Sequence, residues 1–438
     1  MVIDALDAAR SDGAIKTLQS LIRAILSSGG RWHVVASVRK FDLRYNSTLR
    51  GLFHGSPPRA AYADPEFLSV RHISIPALTP GELSQLQAQS PALGSLVSSA
   101  SLALQELLNL PFNLRLLAEL LDVGLTPAEL EPVRTQIELL DRYWQERIHG
   151  HDDHGEAREH VLRRVTSAMI ARRSLRIAKT VALGNEAASG PFLRALLRSH
   201  VLAEWTTQSG ASRSDFITFP HHLLFDYAGA RLYVPPEPDE LVELLSKEAD
   251  LLIAIRPSLE LHYQRLWHHD QASFWDLTFR LVDSSVNEVG KLLGPSVAAI
   301  HAVQSAQTAP LLDALIDSAR QAAGLAVLKH ILATLLMQGT IDTPWIECLA
   351  AATENLEAPV AFAIRPYLVF LSERVTQLSP ADAGYLGILA RRLLAFALTA
   401  QENTRGSPPA ALSASRARPT PISPHRSRSF VAALRLLT

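Results

Sequence analysis

The stretches VIDALDAAR (residues 2–10) and WHVVASVRKFDL (residues 32–43) decide how this chain is read. Each holds an apolar run expected as a strand, Met1-Val2-Ile3 ending at Asp4 in the first and Trp32 to Val38 between Arg31 and Arg39 in the second. Runs that are apolar on both faces suit a parallel sheet, which is covered on both sides. Between them Ile15, Leu18, Leu21, Ile22 and Ile25 recur at spacings of three and four, the period of a helix with one buried stripe. Ser27-Ser28-Gly29-Gly30 ends that helix. A third run, His72-Ile73-Ser74-Ile75, precedes Pro76 and is expected as another strand. Strand, helix, strand, insertion, strand is an α/β order, and three strands make about half of the sheet such an order builds.

From Thr79 onward the pattern turns helical. Thr79-Pro80-Gly81-Glu82 reads as an N-cap, a proline at the first helical position and a capping-box glutamate. Helices are expected over residues 94–108, 112–122, 130–149, 156–173 and 190–199. Two β runs interrupt them, 201–207 and 215–219, joined by a polar turn over 208–212. Helix, hairpin, helix is the outline of a winged-helix domain. Pro235-Pro236-Glu237-Pro238 reads as a stiff linker, because consecutive prolines forbid both helix and sheet. Beyond it, residues 239–400 read as helical pairs separated by Pro257, Pro295, Pro310, Pro344, Pro359, Pro366 and Pro380, a HEAT-like array. Residues 405–438 hold five prolines, six arginines and no acid, the composition of a disordered basic tail.

Composition narrows the classes. Lys+Arg number 42 and Asp+Glu 43, so the net charge of −1 gives no argument for nucleic acid or an anionic membrane. A hydrophobic fraction of 47% is ample for sizeable cores. The one cysteine, Cys348, excludes an internal disulfide and a cysteine-based zinc site, as in a reducing compartment. The most apolar stretch, residues 322–337, is broken by Lys329 and His330, short of the ~18 uninterrupted apolar residues of a membrane helix. Asp4, Asp7 and Arg10 interrupt the apolar region that a signal peptide needs. A cytoplasmic protein without a membrane partner is expected.

The candidate chemistry begins where the strands end. A carboxylate at the C-terminal end of a parallel strand faces the crevice in which α/β proteins bind ligands. Asp4 there is placed to hold magnesium, and Asp7 to polarise a water; the plainer reading is helix capping. Arg39 follows the second strand at the same edge and would stabilise charge on a leaving phosphoryl group; its plainer role is a solvated strand-end cation. His149, His151, Asp152, Asp153, His154 and His160 cluster at metal-ligand spacings, but in an interhelical loop where charged residues need no special reason. His268-His269-Asp270 also reads as loop. Neither G-x-S-x-G nor H-E-x-x-H occurs, so hydrolase and zinc-protease readings lack their motifs.

In order along the chain these segments resemble one family. VIDALDAAR and WHVVASVRKFDL are similar to the Walker B and sensor 1 strands of STAND-class P-loop ATPases, the NACHT and NB-ARC relatives of AAA+ proteins. RHISIPALTPGEL (71–83) resembles the last core strand leading into the helical lid. LNLPFNLRLLAELL (108–121) resembles the G-x-P segment, with Asn109 in place of glycine and Pro111 as the proline near the adenine. ITFPHHLLFDYAGARLY (217–233) resembles the winged-helix motif F-x-H…[DE]-Y-x-A-A, in which His221 would sense the nucleotide's phosphates while Asp226 and Tyr227 are structural. The resemblance covers about residues 1–234.

It implies a mainly α chain: a partial NTPase α/β core with an incomplete parallel P-loop sheet over residues 1–80, a helical lid over 81–130, and a winged helix over 131–234. A helical-repeat domain over 235–402 and the tail over 403–438 complete it. The implied catalytic residues are Asp4, Asp7 and Arg39, the implied cofactor-binding residues Pro111 and His221, and Asp4 the magnesium ligand. Two departures stand out. No G-x-x-x-x-G-K-[ST] occurs, and Ala8 sits where many NACHT proteins carry a second acid. The expectation is therefore the C-terminal portion of a nucleotide-switch signalling ATPase, as in bacterial defence or regulation, either a gene start placed too late or a remnant. ATP or ADP with magnesium is its implied cofactor only where the phosphate loop is also present, and the chain as given is not ATPase-competent. A protein or ligand trigger at the array and a homo-oligomer are the implied partners. Two other classes compete: a winged-helix DNA-binding regulator, for which Arg194 and Arg198 are few phosphate contacts, and a vestigial helical-repeat scaffold.

Overall fold

The computed structural model describes residues 1–3, 6, 12–29, 32–150, 152–184, 189–209, 212–248, 250–354 and 358–406. The chain is mainly helical with small sheets, and it divides into two compact units, Met1–Arg265 and a second beginning at Leu266. That division falls within a helix, beyond the Pro235–Pro238 stretch at which a linker is expected.

The first unit opens with β1 (Val2–Ile3), α1 (Asp12–Ser27) and β2 (Val35–Ala36). The two strands pair in parallel, Val2 opposite Val35 and Ile3 opposite Ala36, so α1 is a crossover between them. Leu6, Leu43, Leu49, Phe67 and Val70 form a small core with Ile3, Leu18, Ala36 and Val38 packed against it. α2 (Lys40–Tyr45) and α3 (Ser47–Leu52) supply two of those residues. The strand expected at 72–75 does not form. The His72 ring binds back to the Val70 carbonyl and the Asp64 amide, and Ile75 is 87% exposed. These side-chain bonds hold the segment as a loop, with no strand paired to it among the described residues.

α4 (Pro80–Gln89) starts with the capping box expected at Thr79, whose amide is held by Glu82 Oε2 at 2.7 Å. Those bonds also hold the Glu82 carboxyl below its ordinary range. The helix expected over 94–108 is two, α5 (Pro91–Ser99) and α6 (Leu102–Leu108), because Ala100 is extended and Ser101 caps the second. α7 (Pro111–Asp122) follows with proline at its first position. The helix expected over 130–149 is also divided, into α8 (Pro127–Leu130) and α9 (Gln136–Trp144), the latter capped by Thr135 and extended by a π turn to His149.

α10 (Gly155–Ala171) then leads to β3 (Arg176–Ala178), α11 (Lys179–Leu183), α12 (Ser189–Arg198), β4 (Ala203–Ser209), β5 (Ser212–Thr218) and α13 (His222–Leu232). The strands form an antiparallel sheet in the order β3-β5-β4. β3 has no counterpart in the sequence reading: three residues are too few to show a period of two. α14 (Pro238–Lys247) and most of α15 (Leu251–His269) close the unit.

The second unit contains α16 (Gln271–Asp283), α17 (Glu288–His301), α18 (Ala309–Ile316), α19 (Gln321–Gln338), α20 (Thr343–Ala352), α21 (Ala358–Ser372) and α22 (Pro380–Gly406). α17 and α21 both pack on α19, and α20 on α22. Among the described residues one helix, α19, is long and apolar enough to cross a membrane by length and composition. Its Leu328, Ile331 and Leu335 are core residues here. Three of the expected breakers, Pro257, Pro295 and Pro366, lie inside α15, α17 and α21. Packing outweighs the lost backbone bond at Pro257 and Pro295, which are buried. Cys348 is buried, which pushes its thiol up to about 12.

Candidate functional site

Asp4 and Asp7, the expected magnesium and water-positioning residues, lie outside the described residues. Arg39 is described. It is the N-cap of α2, just past the C-terminal end of β2, and its guanidinium reaches across to α13. Nη2 donates to Asp226 Oδ2 at 2.6 Å, joining residues 187 positions apart. Asp226 is fully buried and Arg39 is 26% exposed, so the pair sits at the edge of the interior. Sequence reasoning named both residues and missed their pairing, since neither local period nor motif spacing carries it.

His221 is the N-cap of α13, with extended backbone at φ −144° and ψ 138°. Its Nδ1 accepts the Leu223 amide at 3.1 Å. That bond requires a lone pair on Nδ1, so the neutral ring carries its proton on Nε2, as a donor. Burial, helped by His222 and by the guanidinium groups of Arg39 and Arg115, lowers the ring's pKa to about 4, against an opposing pull from Asp226. The imidazole is neutral at pH 7. One face stacks on Phe112, centroids 4.0 Å apart, and His222 stacks at 4.3 Å.

Phe112 follows Pro111, the exposed first residue of α7, so the helix start expected near an adenine lies beside the His221 ring. Arg115, one turn on, pairs with Glu119 at 2.8 Å. A cavity of about 290 Å³ adjoins Arg115 and is lined by Arg115, Leu197, His200, Leu202, Ala203, Glu204 and Pro220, without Arg39, Phe112 or His221. The starts of α7 and α13 thus meet through the Phe112–His221 stack, with Arg39 and Arg115, each paired with a carboxylate, near enough to act on the imidazole. Each favours an anion, and helix N-termini with partial positive charge are common phosphate ligands.

α13 is held firmly from behind. Tyr227 donates to Asp141, and its ring meets Trp144 edge-on at 5.5 Å. Arg231 reaches Asp141 at 3.3 Å and Glu159 at 3.5 Å. Glu159 also accepts from Trp144 Nε1 at 2.7 Å and lies 3.0 Å from His149 Nε2. Gly229 lets α15 approach: a Cβ there would lie 2.3 Å from Ser258 Oγ.

The histidine-rich loop is engaged internally. Besides the His149–Glu159 contact, Asp152 pairs with Arg158 at 2.6 Å, which holds its carboxyl at about 2, and His154 lies against Phe192. His151 is outside the described residues. Among the described residues no three His, Cys, Asp or Glu side chains are grouped to hold a metal ion. On α12, Arg194 and Arg198 are exposed.

No protein-family model matches the chain, and no curated protein matches it.

Proposed function

We propose that this chain is the C-terminal portion of a STAND-type nucleotide switch that, where its phosphate loop is present, holds ADP or ATP between the Arg39 strand end, the Pro111 helix start and the His221 helix start. The observation that carries the reading is the convergence of these three distant segments on one anion-favouring cluster. The parallel β1–β2 pair with its crossover is what a partial P-loop sheet would contain, and α4–α8 are the lid. α9–α13 with the three-stranded sheet are the winged helix. The helices from α14 onward are the sensing array.

In this reading His221 donates its Nε2 proton to a phosphate oxygen of ADP and favours the closed state. A hydrogen bond to a charged group is worth about 1.5–3 kcal/mol, roughly tenfold or more in the closed-to-open ratio. Arg39 neutralises charge on the terminal phosphoryl group. Exchange of ADP for ATP then shifts the population toward an open, oligomerising state, because the two nucleotides differ in affinity for the two states. The 438 residues contain no phosphate loop, so the chain by itself does not turn ATP over.

The test is the genomic DNA immediately upstream of the Met1 codon, translated in frame. The reading expects a strand followed by G-x-x-x-x-G-K-[ST]. A stop codon followed by unrelated sequence would favour the vestigial scaffold. Magnesium-dependent ATP turnover by the purified 438-residue chain would also contradict the assignment.

A further inference from the structure

We propose that the free edge of β4 and the cavity at its start form a docking site for an extended peptide that ends in a free carboxylate on an apolar residue. The proposal does not rest on the nucleotide reading above, since the cavity is lined without Arg39, Phe112 or His221.

The sheet runs β3-β5-β4, so β4 lies at an edge. Ala203 to Ser209 all pair with β5, and among the described residues no strand or backbone bond meets the other side of β4. An edge of that length offers a row of unpaired amides and carbonyls to an added strand. β3, the opposite edge, has only three residues. β4 lacks the usual protection of such an edge. It holds no proline or lysine, and Trp205 is 63% exposed. Its one charge, Glu204, is held by Lys179 at 2.7 Å.

What stands at the start of the edge defines the ligand. A cavity of about 290 Å³ is at the small end of ligand sites, which run from about 300 Å³ upward, and it suits the last residue of a chain. Leu197, Leu202 and Pro220 give it an apolar wall. Arg115 gives it a cation. The Arg115 Nε donates to Glu119 at 2.8 Å, while its two terminal nitrogens have no hydrogen-bond partner among the described residues. A guanidinium fork suits a carboxylate, and the cavity's one acid, Glu204, is already paired with Lys179. The turn that shapes the cavity is fixed: His200 has φ +56°, which few non-glycine residues adopt, and Arg147 binds the Ser199 carbonyl. With its carboxylate at Arg115 and its preceding residues along β4, the peptide runs antiparallel to β4, the more stable pairing.

The probe is a fluorescein-labelled pentapeptide of alternating threonine and valine that ends in leucine, measured by anisotropy against the 438-residue chain. The free acid should bind about tenfold or more tightly than its C-terminal amide, as loss of a bond to a charged group requires. Arg115→Gln, a change at a half-exposed side chain, should erase that difference. Of two peptides methylated at alternate amides, the one whose methyl groups face β4 should bind about tenfold more weakly, and the other should not. In hydrogen exchange the peptide should protect residues 203–209 and leave 176–178 as they are. Equal affinity of acid and amide, or an acid preference that survives Arg115→Gln, overturns the carboxylate site. Unchanged exchange over 203–209, or free leucine competing as well as the peptide, overturns the strand docking. No binding at about 1 mM peptide overturns both.

Discussion

At the residue scale, His221 does two jobs that one substitution confounds and two separate. Its Nδ1 caps α13, and its Nε2–H remains a donor beside Arg39. His221→Ala should cost about 1 kcal/mol of stability, the usual worth of a cap. His221→Asn keeps a good capping oxygen and should melt within a few tenths of a kcal/mol of wild type. Equal loss in both variants, by urea denaturation, would show that ring packing on Phe112 dominates. The same ring sets a pH dependence. Its folded pKa of about 4 lies below the unperturbed 6.5, and burial gives His262 and His301 the same direction. Above pH 6.5 these groups are neutral in both states and add nothing. As pH falls toward 4 the unfolded chain takes up protons first, so stability should drop through that window. Replacing His262 with Gln should flatten the drop; an identical slope would contradict it. His221 itself was legible as a motif residue. Its cap followed from its place before an apolar helix, whereas the Arg39–Asp226 contact is written in no local pattern.

At the element scale, α13 is the part on which the cluster depends, and Gly229 is where it is most exposed to damage. A Cβ at that position would meet Ser258 Oγ at 2.3 Å and Ser258 Cβ at 3.0 Å. Gly229→Ala should therefore cost about 1–3 kcal/mol, the range for overpacking a filled interior. Adding Ser258→Ala should recover part of it, since the hydroxyl is the nearer atom. Full additivity of the two changes would contradict a direct clash. Elements with caps were readable in advance: Thr79 and Glu82 bond as their spacing implies. Elements decided by distant neighbours were not. His72-Ile73-Ser74-Ile75 has a strand's composition and no strand beside it among the described residues, while Arg176-Ile177-Ala178 becomes a strand where β5 pairs with it. Pro257 and Pro295 sit inside helices because the surrounding core tolerates the missing backbone bond.

At the scale of the whole molecule, stability is unevenly distributed. The first 80 residues rest on the small core around Leu6, Leu43, Leu49, Phe67 and Val70, and they expose Val2, Trp32, Val35, Ile73 and Ile75. Limited proteolysis should cut within residues 1–80 first and leave 81–400 largely resistant, because few buried contacts and exposed apolar edges lower the local cost of opening. First cuts beyond Leu266, or simultaneous cleavage throughout, would contradict this. The broad helical character was legible because its periodicity is local. The compact division at Arg265 was not, since α15 runs through it without a break in helical pattern.

The central claim is that strand end, lid helix and α13 make one phosphate-sensing site around a neutral imidazole. The most direct measurement is NMR of the His221 ring in the 438-residue chain labelled at histidine nitrogens, assigned by loss of its signal in His221→Asn. The account predicts the Nε2–H tautomer and a pKa of about 4 in this chain, and, in a chain extended N-terminally to carry a phosphate loop, a resonance that shifts and a pKa that rises when ADP is added, as a nearby anion requires. A ring that titrates near 6.5, or one that ignores ADP in the extended chain, would contradict it.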